Sequence, residues 1–255
     1  MRLGRRSLIS GLAALTGLTV FPGAPDAQDS DDVDLELVLA VDVSRSVDDQ
    51  EFDLQRRGYA QAFTHPNVIK AIQSNGLRRI AVAYVEWAGA EAQLTVVPWT
   101  MVSDAESGEI FADRILAAPR SFWGWTSISG AIDHSSKLFG QRYKGRRRVI
   151  DVSGDGINNS GRPAFVARDE AVAKGIVING LVIMNDNPNP GGFGQRAFPQ
   201  PPLDEFYREQ VIGGPGAFVI AVDDFESFAF AIVNKLIKEI AYFAVDPGVR
   251  LAQAK

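Results

Sequence analysis

The stretch LVLAVDVSRSVDD, residues 37–49, decides the fold, because it carries a buried strand directly into a cluster of oxygen-bearing side chains. It extends LELVLAVD, an almost continuous apolar run that is typical of a strand in a parallel sheet. Asp42, Ser44 and Ser46 then follow at alternate positions. Two interpretations are open here: the three residues cap a helix that begins near Val47, or they converge on a ligand.

Outward from this stretch, strands and helices alternate along the chain. Further strands are predicted at 79–88, 92–99, 147–154, 176–183 and 217–222. Helices are predicted at 48–63, 103–117, 127–139, 163–174, 203–211 and 225–243. Since a short turn with Gly89 and Ala90 joins the second and third strands, a hairpin is expected there, which makes one edge of the sheet antiparallel. The alternation itself predicts an α/β fold with a mostly parallel six-stranded sheet and helices on both faces.

Composition narrows the class of protein. A chain of 255 residues with 46% hydrophobic content can bury a sizeable core as one domain, which excludes disorder as a whole. It has no cysteine, so neither disulfides nor a lipoprotein anchor can form. A net charge of −5 argues against nucleic acid or an anionic membrane as the main partner. The basic run RYKGRRR, 142–148, is predicted to be a solvated helix end and turn before a strand.

The ends of the chain are predicted to lie outside the folded domain. Residues 1–27 have the layout of a secretory signal peptide, and the arginine pair in GRRSLIS resembles the twin-arginine type. We therefore expect a periplasmic or secreted protein with no integral membrane segment after signal removal. An acidic mobile segment, 28–32, precedes the domain at 33–245, and 246–255 form a tail. The segment 185–202, rich in proline, glycine and asparagine, is either functional or disordered.

The residues after the strands form a set of oxygen ligands. Ligand sites in open α/β sheets lie outside the carboxyl ends of the strands. Asp155 follows the strand 147–154 there, and Thr126 precedes the helix at 127–139, so both can join Asp42 and the two serines. Two carboxylates offset the charge of a hard divalent cation such as Mg²⁺, while hydroxyls coordinate it without adding charge. Such an ion stays electrophilic toward a carboxylate from another molecule.

At this point the chain resembles a known family. The motifs DVSRS, GWTSISGAI and SGDG, in this order, resemble the metal-ion-dependent adhesion site of von Willebrand factor A-type domains, which include integrin inserted domains. The resemblance covers residues 33–243. The proline-rich loop and the segment VIGGPGAFVIAVDDFESFAFAI are similar to an uncharacterised group of exported bacterial proteins of this type.

The resemblance implies a doubly wound, Rossmann-like sheet and a site for Mg²⁺ or Mn²⁺ in preference to Ca²⁺. It implies that Ser44 and Ser46 bind the ion directly, and that Thr126 binds it in the ligand-engaged state. Asp42 and Asp155 would act directly or through waters.

Aromatic residues border the proposed site. Trp123 and Trp125 flank Gly124 just before Thr126, and they are either core residues or an exposed rim for a protein partner. Asn158 is a further candidate for this rim, and turn chemistry is the alternative explanation for it. For His134, on a predicted helix, a surface or packing role is expected.

The sequence therefore predicts an exported, cation-dependent, adhesion-type module that captures the Asp or Glu carboxylate of a protein partner and catalyses no reaction. One alternative is a metal-dependent hydrolase that uses the same site to activate water. Another is a periplasmic structural protein in which the metal only stabilises the fold.

Overall fold

The structure of the protein is a computed structural model that describes residues 31–184, 201–223 and 227–241. The predicted signal peptide, the segment 185–200 and the tail from 246 onward lie outside these residues, so those predictions stay predictions. No helix within the described ranges combines the length and the apolar character needed to cross a membrane.

The elements follow the predicted alternation. The strands are β1 (Asp32–Asp42), β2 (Ile80–Trp87), β3 (Gln93–Val102), β4 (Lys144–Gly154), β5 (Val177–Ile183) and β6 (Val219–Val222). The first five helices are α1 (Asp49–Thr64), α2 (Pro66–Gln73), α3 (Ala105–Ala117), α4 (Ile128–Ser136) and α5 (Ala164–Ala173). They are followed by α6 (Leu203–Phe206), which continues as a π-helical turn (Tyr207–Val211), and by α7 (Phe228–Ala241).

The sheet has the order β3-β2-β1-β4-β5-β6, and β3 is the antiparallel edge strand. The other neighbouring pairs are parallel, which confirms the predicted α/β class. The antiparallel pairing of β2 with β3 confirms the predicted hairpin. Chain order reverses at β1, since the chain runs outward to β2 and β3 and then returns to β4 on the other side. The carboxyl ends of β1 and β4 are therefore adjacent at the switch point, where ligands bind in this architecture.

Both faces of β1 are covered, which explains its apolar run. Leu37 and Leu39 belong to a core with α1, α2, α3 and α7, while Val38 and Ala40 belong to a second core with α4, α5 and the π-helical turn. Because successive side chains of a strand point to opposite faces, a central strand of such a sheet is apolar at nearly every position.

The structure differs from the sequence prediction in two places. No helix is predicted between residue 63 and the second strand, but α2 lies there: His65 is its N-cap and Pro66 occupies its first turn, where a missing N–H costs nothing. The basic run is mostly strand, because β4 begins at Lys144. Arginines of that strand pair with wholly buried carboxylates of β1, and these partners hold the run in the sheet.

A buried charged cluster lies between β4 and α7. Lys235 forms ion pairs with Asp151 and Glu239, and all three side chains are wholly or almost wholly buried. Asn179 donates to Glu239 Oε1 at 3.0 Å from the neighbouring strand. Burial raises the pKa of Asp151 from 3.8 to about 7, although the Lys235 ammonium opposes this shift.

This cluster predicts a pH-dependent stability. Because the pKa of Asp151 is higher in the folded than in the unfolded chain, the folded state binds the proton more tightly between about pH 4 and pH 7. The associated stability is fully present below about pH 4 and is lost as the pH rises through about 7. In urea unfolding with EDTA, the free energy of unfolding of Asp151→Asn should therefore fall less steeply with pH than that of the wild type. Parallel curves for the two proteins would contradict this.

Candidate metal centre

The metal loop, residues 42–48, connects β1 to α1. Its last residue, Asp48, is the N-cap of α1: Asp48 Oδ1 accepts from the Glu51 N–H at 2.9 Å, and Glu51 Oε2 accepts from the Asp48 N–H at 2.8 Å. This capping box satisfies the first turn of the helix. The interpretation of Ser44 or Ser46 as a cap of α1 is therefore wrong.

Instead, the side chains predicted to bind the metal converge from three loops. Ser46 Oγ donates to Asp155 Oδ1 at 2.6 Å and lies 3.1 Å from Ser44 Oγ. Thr126 Oγ1 donates to Ser44 Oγ at 3.3 Å. Asp42 joins this group through Oδ1, which accepts the Ser44 N–H at 2.7 Å. All five residues thus form one continuous set of oxygens at the carboxyl end of the sheet.

The electrostatics of this set suit a cation. Asp42 is wholly buried, and its Oδ2 has no hydrogen-bond partner among the described residues. Burial and then the negative charge of Asp155 raise the pKa of Asp42 well above its usual value, and burial raises the pKa of Asp155 as well. Nowhere in the described ranges do three carboxylate, imidazole or thiolate side chains cluster, so a divalent ion here needs the hydroxyls too. Two carboxylates with three hydroxyls are the oxygen donors that Mg²⁺ takes.

Two asparagines, which turn chemistry alone could explain, hold the loops in place. Asn159 Oδ1 accepts the Thr126 N–H at 2.8 Å, and the Asn159 N–H donates to the Thr126 carbonyl at 2.9 Å. Asn158 Oδ1 accepts the Ser129 N–H at 3.1 Å. These bonds connect the loop after β4 to the first turn of α4 and to the loop before it, and so fix the position of Thr126. Sequence reasoning missed this role because the partners are about thirty residues apart.

A buried tyrosine also approaches the site. Tyr207 comes from the π-helical turn, and its hydroxyl is buried without a hydrogen-bond partner among the described residues. A Cβ on Gly154 would lie 2.8 Å from Tyr207 Oη and 3.0 Å from Asp42 Oδ2. Gly154 therefore leaves the space in which the phenol and the carboxylate face each other. No sequence pattern predicted the role of Tyr207, which is distant along the chain from Asp42 and Gly154.

The aromatic residues beside the site are exposed. Trp123 and Trp125 are 60% and 69% exposed, so the core interpretation is wrong for both. Beside the metal loop, a cavity of about 560 Å³ is lined by Arg45, Asp48, Asp49, Trp123 and Gly124. Asn158 borders a second cavity of about 400 Å³. His134, as expected, lies away from the site, where Nε2 is 3.0 Å from Thr95 Oγ1.

Comparisons with known proteins agree with this architecture. A family model described as "Protein of unknown function (DUF1194)" matches residues 32–244. The curated proteins contain no match to the chain. Proximal thread matrix protein 1 from the mussel byssus, solved with a zinc-occupied MIDAS motif, superposes with a TM-score of 0.56 at 14% identity, over 83% of this chain and 49% of that chain.

Two bacterial structures are similar to the same extent. The pilus adhesin SpaC from Lactobacillus rhamnosus GG gives a TM-score of 0.56 at 13% identity, over 82% of this chain and 30% of that chain. A von Willebrand factor type A structure from Catenulispora acidiphila gives 0.55 at 14% identity, over 82% and 43%. The chain thus spans less than half of each of these three proteins. At such identities the likeness shows the fold, which is the predicted von Willebrand A type.

Proposed function

This chain belongs to the DUF1194 family and has a von Willebrand A-type fold, and from that premise we propose that it is a divalent-cation-dependent binding module. In this proposal Asp42, Ser44, Ser46, Thr126 and Asp155 hold Mg²⁺ or Mn²⁺, and an acidic side chain of a protein partner completes the site. The observation that carries the proposal is the convergence of these five side chains, together with the buried Asp42 Oδ2, which has no hydrogen-bond partner in the part of the chain that the structure describes.

The proposed ligands are of two kinds, charged carboxylates and neutral hydroxyls. Asp42 and Asp155 supply negative charge that burial makes unfavourable unless a cation offsets it. Ser44, Ser46 and Thr126 supply neutral oxygens, so a bound ion retains positive charge for an incoming carboxylate. The ion's own chemistry is that of a Lewis acid with an open coordination position. The mussel protein with a zinc-occupied MIDAS motif supports a divalent metal at the equivalent place in this fold.

The surroundings of the site support a protein as the partner. Trp123 and Trp125 expose large apolar surfaces beside the metal loop, and tryptophan is enriched among residues that dominate protein interfaces. Asn158 borders the second cavity and completes the proposed rim. The likeness to a pilus adhesin and to a byssus matrix protein supports a binding or structural role without catalysis. Export by the signal at 1–27 belongs to the same proposal.

A capture experiment tests this function. The mature chain, immobilised with Mg²⁺, is expected to retain proteins from a periplasmic extract and to release them with EDTA. Release should also follow addition of a short peptide that contains aspartate, but not of the matched peptide with asparagine, because only a carboxylate can enter the coordination position. Ser44→Ala and Thr126→Ala baits should retain at least tenfold less protein, in line with the roughly 10–100-fold effects typical of changes around a metal.

Ser129→Ala is the matched control, since Ser129 is a buried serine of α4 whose hydroxyl contacts Ser127 instead of the site. This bait should capture as much as the wild type. If the Ser44 and Thr126 baits capture the same proteins as the wild type, the proposed mechanism is wrong. Retention that resists EDTA would point to the structural alternative.

A further inference from the structure

An arginine lies directly behind the metal loop. Arg120, in the loop between α3 and α4, donates through Nη2 to the carbonyls of Val43, Ser44 and Val47 at 2.9, 3.0 and 2.8 Å. Its side chain is only 8% exposed. These carbonyls belong to the backbone that carries the Ser44 and Ser46 hydroxyls, so the guanidinium fixes the shape in which both hydroxyls reach the site. Satisfied polar networks of this kind rigidify a structure.

The same guanidinium is fixed from its other sides. The Trp123 ring lies over it, with 3.6 Å between Arg120 Cζ and the ring centroid, and the Phe52 ring lies at 5.1 Å. Arg120 Nε donates to the Phe122 carbonyl at 3.2 Å. Below it, the buried Glu86 accepts the Ser121 N–H at 2.8 Å and so anchors the adjacent backbone. Arg120 is thus placed between the metal loop and an indole that is exposed to solvent.

We propose that Arg120 is a positioning residue that couples the exposed Trp123 surface to the metal loop. Ordering the indole orders the guanidinium stacked on it, and the guanidinium in turn holds the three carbonyls. A loop that spends more time in its ligating shape binds the cation more tightly. A partner that packs on Trp123 would therefore strengthen cation binding, and by linkage the cation would strengthen the contact at Trp123. This inference rests on the proposed function, because it concerns the same metal site.

The test measures the Mg²⁺ and Mn²⁺ affinities of the isolated mature chain by calorimetry, with no partner present. Arg120→Lys keeps the charge but loses the planar fork and the flat contact with the indole. It is expected to weaken both affinities by roughly 10–100-fold, the usual effect of losing a group that supports metal ligands. Trp123→Ala should weaken them several-fold, although this residue is not a proposed metal ligand.

Arg56→Lys is the matched control. Arg56 is a buried arginine, and its Cζ also lies 5.1 Å from the Phe52 ring, but its side chain donates to the Ile115 carbonyl of α3. A general loss of stability should therefore appear in both arginine variants in thermal melts with EDTA. Only Arg120→Lys should lose metal affinity.

The outcomes separate the inference from the proposed function. If the wild type binds neither ion, the proposed function fails, and this inference fails with it. If the wild type binds and Arg120→Lys binds equally well, the positioning role is overturned while the metal site stands. In the double variant, Trp123→Ala should add almost nothing to the effect of Arg120→Lys, because the indole acts through the guanidinium. Additive losses would overturn the coupling.

Discussion

Replacing Asp42 with asparagine is expected to weaken Mg²⁺ binding by more than about 100-fold, beyond the range that outer groups usually contribute. The variant removes the buried negative charge but keeps an oxygen that can accept the Ser44 N–H, a bond of 2.7 Å in the wild type. The metal loop should therefore keep its shape while the site loses half of its carboxylate charge. Calorimetric titration with Mg²⁺ measures the effect directly.

Without metal, the same substitution is expected to leave the stability of the protein unchanged or to raise it. Burial and the charge of Asp155 make the ionised Asp42 unfavourable, so Asp42→Asn in EDTA should be at least as stable as the wild type. With Mg²⁺ at 100 times its Kd, the wild type should gain about 2.7 kcal/mol and the variant almost nothing. In thermal melts, the variant should therefore be at least as stable as the wild type with EDTA, whereas the wild type should be the more stable protein with Mg²⁺. A variant that is destabilised in EDTA yet still binds Mg²⁺ would show that Asp42 has only a structural role.

Asp34→Asn is the control for Asp42→Asn. Asp34 is a wholly buried aspartate at the other end of β1, where Oδ2 accepts the Leu77 N–H at 2.8 Å. It pairs with Arg146 at 3.4 Å and lies far from the metal loop along the strand. Its replacement should lower stability and leave the Mg²⁺ affinity unchanged.

Replacing Lys235 with methionine is expected to destabilise the protein by about 3–5 kcal/mol, because it leaves Asp151 and Glu239 buried without their cation. That is a large part of the roughly 5–15 kcal/mol that stabilises a typical domain. Urea unfolding at neutral pH measures the loss. Adding Asp151→Asn to Lys235→Met should recover part of it, since one of the two unpaired carboxylates is then removed.

Lys238→Met is the comparison on the same helix. Lys238 is exposed, and its Nζ lies 3.8 Å from the centroid of the Phe218 ring. Losing this surface contact should cost no more than about 1 kcal/mol. Similar losses in the Lys235 and Lys238 variants would mean that the buried cluster contributes little to stability.

The fold was predictable because β1 and the hairpin carry strong local signals. A buried apolar run at 35–42 and the short turn at Gly89 fixed the class of the sheet and its antiparallel edge. Helix boundaries were less predictable: α2 begins at Pro66, which also ends α1, and local patterns cannot distinguish these two uses of one residue. The basic run at 142–148 was misjudged because its carboxylate partners lie on β1, about 110 residues away.

The proposed metal-binding residues could be predicted from the sequence, because they are oxygen-bearing residues near strand ends, whereas the residues that support them could not. Asp42, Ser44 and Ser46 follow β1 in a recognisable pattern, and Thr126 and Asp155 match it later in the chain. No sequence motif marks the supporting residues Arg120, Asn159 and Tyr207. Each of them approaches the site through a single side chain, and the residues that it approaches are distant along the chain. Only the folded structure brings them to the site.

The two ends of β1 differ in the source of the positive charge that offsets their buried carboxylates. At the amino end, Asp34 and Glu36 are compensated from within the chain by Arg146, Arg148 and backbone N–H groups. At the carboxyl end, no lysine, arginine or histidine in the described residues forms an ion pair with Asp42. The amino end of the strand therefore has its counter-charge within the chain. At the carboxyl end, a bound divalent ion would supply the counter-charge. The charge of this site would then depend on the concentration of divalent ions in the protein's compartment.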